Sequence, residues 1–284
     1  MNWEQVYMVL KKENERIRET FGIRIEIYGS GRQGYEVLSN CINDGAYWYR
    51  DDFSIKEIPA PEIWNSDRRL SQILKKQVHE YWTFMIMLEN LLHGYKYGGV
   101  EHFIYQPTRG NDYQSPILRT PRGSLFVEPC LTRYKDEEIL SVWGNRLHYL
   151  QKPSSLPIRP DFLLTKFETI DIPWGAWTWR YIGEEIWEEF STNVKYIIEC
   201  KWRTPTRKDL NQILWYSLAY KKPIIFIIQE EIREKMRKKF EEDIEKLETD
   251  VYIVENFKVG SRDSCVSKLT ILKELRPEIS FLPK

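Results

Sequence analysis

Glu199 and Lys201 close a short apolar stretch, YIIECKW over residues 196–202, with a single residue between them. Side chains alternate along a strand, so the carboxylate and the ammonium share one face and Cys200 takes the other. Two charges at the end of a buried strand are costly unless partners compensate them. A second apolar stretch, RPDFLL over residues 159–164, opens with Asp161, 38 positions before Glu199. Two carboxylates and a lysine meeting at one sheet edge are a donor set for a divalent cation and an activated water. Hydrolysis of a phosphodiester needs such a water near neutral pH and counter-charge for the pentavalent transition state, and a divalent cation supplies both. Asp161 and Glu199 would hold the ion, because hard cations such as magnesium take carboxylate oxygens. The backbone carbonyl of Cys200 would add a further oxygen. Lys201 would orient the attacking water or stabilise negative charge. Glu80 would complete the metal shell from a preceding helix, and Gln212 would position a phosphate or the water from a following one. Arg203, Arg207 and Lys208 lie near a helix N-terminus, a natural place to meet a phosphate backbone.

These residues need two strands and two helices to position them. A helix over residues 66–93 is expected from apolar residues at helical spacing, with Gly94 as its stop, and it carries Glu80. Strands are expected over 101–106, 117–120, 124–134 and 159–167, and a fully apolar one over 223–228. Thr206 with Asp209 three residues on reads as a capping box that opens a helix over 207–220. That helix sets Gln212 and Tyr216 on one face, at i and i+4. A charged surface helix over 230–249, a strand over 251–254 and a short helix over 264–275 complete the C-terminal part. The order of elements indicates an α/β domain with a mixed sheet. Residues 1–60 read as an N-terminal elaboration: a helix over 3–20, then a strand over 22–28 that turns at Gly29–Gly34 into a hairpin. Pro59 and Pro61 mark the expected boundary. An insertion at about 168–195 holds Trp174, Trp177, Trp179 and Trp187, four of the chain's eleven tryptophans. A lid, a base-stacking wedge, a dimer surface and plain packing all remain open for it.

Lys plus Arg and Asp plus Glu balance at 42 each, so any basic surface that meets nucleic acid must be local. The 284 residues allow one elaborate domain or two small ones with a sizeable core. No apolar run approaches the ~18 residues of a membrane span, and the start lacks the pattern of a signal peptide, so the expected location is cytoplasmic. The four cysteines form no CxxC pair, which disfavours a zinc site and a secreted disulfide scaffold.

Pro160-Asp161 followed by Glu199-Cys200-Lys201 resembles the PD-(D/E)xK nuclease signature. Gln212-x-x-x-Tyr216 resembles the added motif of its RecB-like branch. More narrowly, His79-Glu80-Tyr81-Trp82-Thr83-Phe84, Arg159-Pro160-Asp161-Phe162, Glu199-Cys200-Lys201 and Asp209-Leu210-Asn211-Gln212 are similar in order to McrC-like nuclease subunits. The likeness covers roughly residues 66–230. It implies a restriction-endonuclease-like mixed central sheet flanked by helices, in a nuclease-like domain over 61–284. It also implies magnesium-dependent cleavage of DNA, with manganese able to substitute. Asp161 and Glu199 are then metal ligands, Lys201 is catalytic, Glu80 is an added acidic ligand, and Tyr216 joins Arg203, Arg207 and Lys208 at the nucleic-acid-binding face. The alternative is a nuclease-fold subunit that binds DNA or an NTPase partner and cuts only conditionally or not at all. The chain has no GxxxxGK[ST] loop, so an NTP-driven motor must be another protein. A homodimer is left open. Two features depart from the family pattern: the long interval between Asp161 and Glu199, and Cys200 at the middle of the ExK, whose side chain is expected in the core.

Overall fold

The computed structural model describes residues 1–27, 36–51, 54–66, 68–97, 101–105, 113–114, 118–127, 136–151, 160–166, 172–173 and 191–277. Its helices are α1 (Trp3–Phe21), α2 (Val37–Asn43), α3 (Ala60–Asn65), α4 (Arg69–Leu91), α5 (Asp136–Trp143), α6 (Arg207–Tyr220), α7 (Glu234–Ile244) and α8 (Arg262–Lys268). The strands are β1 (Ile23–Ile27), β2 (Ala46–Asp51), β3 (Ser54–Pro59), β4 (Glu101–Tyr105), β5 (Tyr113–Gln114), β6 (Leu118–Thr120), β7 (Gly123–Val127), β8 (Phe162–Thr165), β9 (Ile172–Pro173), β10 (Val194–Lys201), β11 (Ile224–Ile228) and β12 (Val251–Val254). No described helix is long and apolar enough to cross a membrane.

The chain divides into two units, Met1–Arg109 with Lys258–Leu275, and Gly110–Phe257 with Arg276–Lys284. The division falls later than the boundary expected at residue 60. Pro59 and Pro61 instead open α3, where a missing N–H has no intrahelical partner to lose. Helix α4 then packs with α1, α2, α3 and α8, all in the first unit.

In the first unit, α1 starts on an Asn2–Gln5 capping box and ends at Gly22, whose φ of 73° is the left-handed conformation that favours glycine. Strand β1 pairs with β4 in parallel, Ile25 opposite Phe103. The expected hairpin after β1 is not its pairing: the next described element is α2, and the antiparallel hairpin of this unit is β2–β3. The turn at residues 29–34 lies outside the described residues. Every residue of α4 from Val78 to Leu88 is buried. The helix is therefore enclosed on all sides there rather than half-exposed, and Glu80 goes inside with it.

The second unit is an α/β layer built on a mixed six-stranded sheet of order β12-β11-β10-β8-β7-β6, flanked by helices. Strands β10, β11 and β12 run parallel, joined by α6 and α7 as crossovers. Strands β10, β8, β7 and β6 are antiparallel. One face of the sheet, through Phe126, Leu163, Ile197, Phe226 and Ile228, packs against Leu210, Ile213, Leu214 and Phe240 of α6 and α7. The alternate residues Ile198, Cys200, Ile225 and Ile227 are buried too, as expected of central parallel strands. The close β7–β8 approach requires Gly123: its φ is 151°, and a Cβ there would collide with the Thr165 carbonyl.

Candidate active site

Strand β10 has one parallel and one antiparallel neighbour, and the residues of interest lie at its C-terminal end. The β8 register sets Phe162 opposite Ile198, which brings Asp161, one residue before the strand, beside Glu199. Where the β8–β10 ladder stops, the Asp161 carboxylate continues it: Oδ2 accepts the Cys200 amide at 2.7 Å. The N–H and C=O of one strand residue point to the same neighbour, so the Cys200 carbonyl also faces the Asp161 edge. Asp161 is 5 % exposed and Glu199 2 %, depths at which a carboxylate must be compensated.

Lys201 supplies part of that compensation. Its Nζ donates to Glu199 Oε1 and to Gln212 Oε1, the latter at 3.3 Å. Burial pulls the Lys201 ammonium downward, but the carboxylates of Glu199, Asp161 and Asp209 outweigh it and hold the group above its ordinary value. Lys201 is therefore a fixed cation at neutral pH, suited to stabilising negative charge and unsuited to accepting a proton.

Helix α6 closes the other side. Gln212 Nε2 donates to the Tyr216 hydroxyl at 2.5 Å, and that hydroxyl donates to Glu199 Oε2 at 3.1 Å. The i, i+4 spacing puts both residues on the sheet-facing side. Tyr216 is fully buried, which corrects its expected place at the nucleic-acid-binding face: it holds Glu199 instead. Burial, then the charges of Glu199 and Asp161, push its hydroxyl well above the usual range, so it stays a donor.

Asp209 is the residue whose part the sequence did not disclose. Its capping role is as expected, Oδ2 accepting the Thr206 amide and hydroxyl, each at 2.7 Å. The same carboxylate also lies 3.7 Å from Lys201 Nζ and 3.8 Å from Arg203 Nη2. A capping signal and a charge partner look identical in a sequence. Arg203, Arg207 and Lys208 are exposed around this helix start. Two further bonds fix α6. Asn211 exchanges amide bonds with the Gln151 backbone at 2.8 and 3.1 Å, and Trp215 Nε1 donates to the same Gln151 carbonyl at 2.6 Å. The loop between β10 and α6 is held by Glu230, which accepts the Thr204 amide at 2.8 Å.

Glu80 belongs to the first unit, on α4, and its described ion pair is with Lys76 at 2.9 Å. The Cys200 thiol is buried and free, on the face opposite Glu199 and Lys201, as expected. The tryptophans at 174, 177, 179 and 187 lie outside the described residues.

The donor set suits a hard divalent ion. Asp161, Glu199 and the Cys200 carbonyl offer only oxygens, and two buried carboxylates face one lysine. Among the described residues no cluster of three His, Cys, Asp or Glu forms a ready-made metal cage, so such an ion would complete its shell with water and substrate oxygens. The fold places the protein among α/β proteins with a mixed six-stranded sheet. No protein-family model, curated protein or solved structure matches the chain.

Proposed function

We propose that this protein is a magnesium-dependent nuclease of restriction-endonuclease-like architecture that hydrolyses DNA phosphodiester bonds. One observation carries the reading: the Asp161–Cys200 hydrogen bond joins Asp161 to the strand end bearing Glu199 and Lys201, two carboxylates and a lysine on one sheet face. A divalent cation held by Asp161, Glu199 and the Cys200 carbonyl would supply Lewis acidity and a nucleophilic water at neutral pH.

The chain's own groups do the rest. Lys201 stays charged and stabilises the negative charge that builds on the phosphoryl oxygens. Tyr216 fixes the orientation of Glu199, and Gln212 links Tyr216 to Lys201, so the charged pair is aligned before substrate arrives. Arg203, Arg207 and Lys208 offer exposed cations to the phosphate backbone beside the site.

Incubation with single-stranded, duplex and branched DNA plus magnesium or manganese tests this. Wild-type protein should cut at least one of these, while Asp161→Ala and Lys201→Ala lose the activity and keep the fold. Equal inertness of wild type and both variants on every substrate overturns the stand-alone nuclease.

A further inference from the structure

The first unit contains a cavity of about 590 Å³ between α1 and β1, a size that encloses small-molecule ligands. None of its lining residues belongs to the site around Asp161 and Glu199. The walls are largely apolar, from Leu10, Ile25 and Tyr7. Two lining residues are polar, buried and unmatched. The Tyr81 hydroxyl and Asn14 Oδ1 have no hydrogen-bond partner among the described residues, and Tyr81 is only 1 % exposed. Asn14 Nδ2 donates to the Ile25 carbonyl at 3.2 Å, which fixes the amide and leaves its oxygen as the acceptor on offer. Burial keeps the Tyr81 hydroxyl protonated far above its usual range, so it can donate. Buried polar atoms are normally satisfied, and an unmatched pair lining one cavity needs an explanation.

The rim is charged. Lys11 and Arg18 lie one and two turns apart from each other's neighbour Asn14 on a single face of α1, and both are exposed. Neither makes an ion pair among the described residues. Arg24 is also at the rim, partly answered by Glu26 at 3.7 Å, and Glu15 adds one more carboxylate. Since the whole chain is neutral, two cations without acidic partners at one cavity mouth are a local excess. A buried donor and acceptor, apolar walls and a cationic rim together fit a molecule with a flat apolar body, an amide-like edge and an anionic end.

We propose that this cavity binds a nucleotide, its base edge meeting Asn14 and Tyr81 and its phosphate meeting Lys11 and Arg18. A free mononucleotide and a nucleotide of a single strand offer the same chemistry. The site is independent of the nuclease reading, and its test runs without magnesium, in both wild-type and Asp161→Ala full-length protein.

Calorimetric titration with dAMP, dGMP, dCMP and dTMP, the four nucleosides, inorganic phosphate and a short 5′-phosphorylated single strand reads the site directly. At least one mononucleotide or the strand should bind once per chain, with its nucleoside and phosphate alone each much weaker. Tyr81→Phe should weaken that binding roughly tenfold, the change for one hydrogen bond to a buried hydroxyl. Its thermal midpoint should equal or exceed that of wild type, because the deleted hydroxyl has no partner to lose. Arg18→Ala should weaken binding and flatten its salt dependence. Binding of the strand without any mononucleotide assigns the polymer as source, and the converse assigns the free nucleotide. The proposal is overturned if neither form binds or if phosphate alone binds as well as a nucleotide. Wild-type affinity in both Tyr81→Phe and Arg18→Ala overturns it too, as does a lowered thermal midpoint for Tyr81→Phe.

Discussion

The Tyr216 hydroxyl reaches Glu199 Oε2 at 3.1 Å from one full turn beyond Gln212, which donates to that same hydroxyl. The orientation of the carboxylate on β10 is thus set by α6. Tyr216→Phe keeps the ring in the core and deletes only the donor. It should cost about 1 kcal/mol of stability. On the nuclease reading it should raise the magnesium needed for half-maximal cleavage by roughly 10–100-fold, the usual effect of losing a ligand's supporting partner. Urea unfolding and a magnesium titration measure the two separately, and no change in either removes Tyr216 from the site.

Asp209 both caps α6 and faces Lys201, whereas Thr206 only caps. Thr206→Ala and Asp209→Asn should each lower stability by about 1 kcal/mol through the cap. Only Asp209→Asn should also change DNA cleavage, by loosening Lys201. Equal cleavage by both variants at matched stability would confine Asp209 to the cap.

Asp243 of α7 is fully buried and accepts the amides of His148 and Tyr149 at 2.8 and 3.0 Å, with His148 Nδ1 at 2.9 Å. It anchors the turn after α5 to the second unit's core. Asp243→Ala strands these donors inside the protein and should cost about 2–4 kcal/mol. Urea denaturation should show the loss with cleavage per folded molecule unaltered. A loss under 1 kcal/mol would mean that water replaces the carboxylate.

Burial pushes the Cys41 thiol from 9.0 up to about 12. The raised value means that the folded state keeps its proton while the unfolded chain gives it up. The stability from this group is intact below pH 9.0 and lost progressively as pH rises towards 12, at up to about 1.4 kcal/mol per pH unit. Subtracting the stability curve of Cys41→Ala from that of wild type should isolate this alkaline slope. In the native state at pH 8, Cys41, Cys200 and Cys265, all buried and free, should resist alkylation until denaturant is added. Rapid labelling of Cys41 in native protein contradicts the burial.

Local signals carried much of this far into the structure. Strand alternation put Glu199 and Lys201 on one face and Cys200 on the other, and the apolar run after Asp161 is a strand beside them. The helix over 207–220 and its Thr206–Asp209 cap match α6 closely. What stayed hidden was non-local. Nothing in residues 22–28 announces a parallel partner some 78 positions later, and hence β1 read as half of a hairpin. Helical spacing showed that Gln212 and Tyr216 share a face without showing that the face turns inward onto a carboxylate. The short, acidic α5 has too few turns to display a period, so it was missed. In α4 the apolar stripe was legible, but enclosure of the flanks, Glu80 included, comes from packing by other helices.

The antiparallel pairing of β8 with β10 has a consequence for the long interval between Asp161 and Glu199. Thr165 lies opposite Val194, so the intervening chain leaves and rejoins the sheet at the end remote from both carboxylates. Four residues of strand separate the two ends, roughly 13 Å at the rise of an extended chain. The spacing that departs from the family pattern is therefore no obstacle to the geometry of the site. Segments of quite different length could be spliced between Lys166 and Asn193, whose backbones already meet at 2.8 Å, and the carboxylate pair would keep its separation.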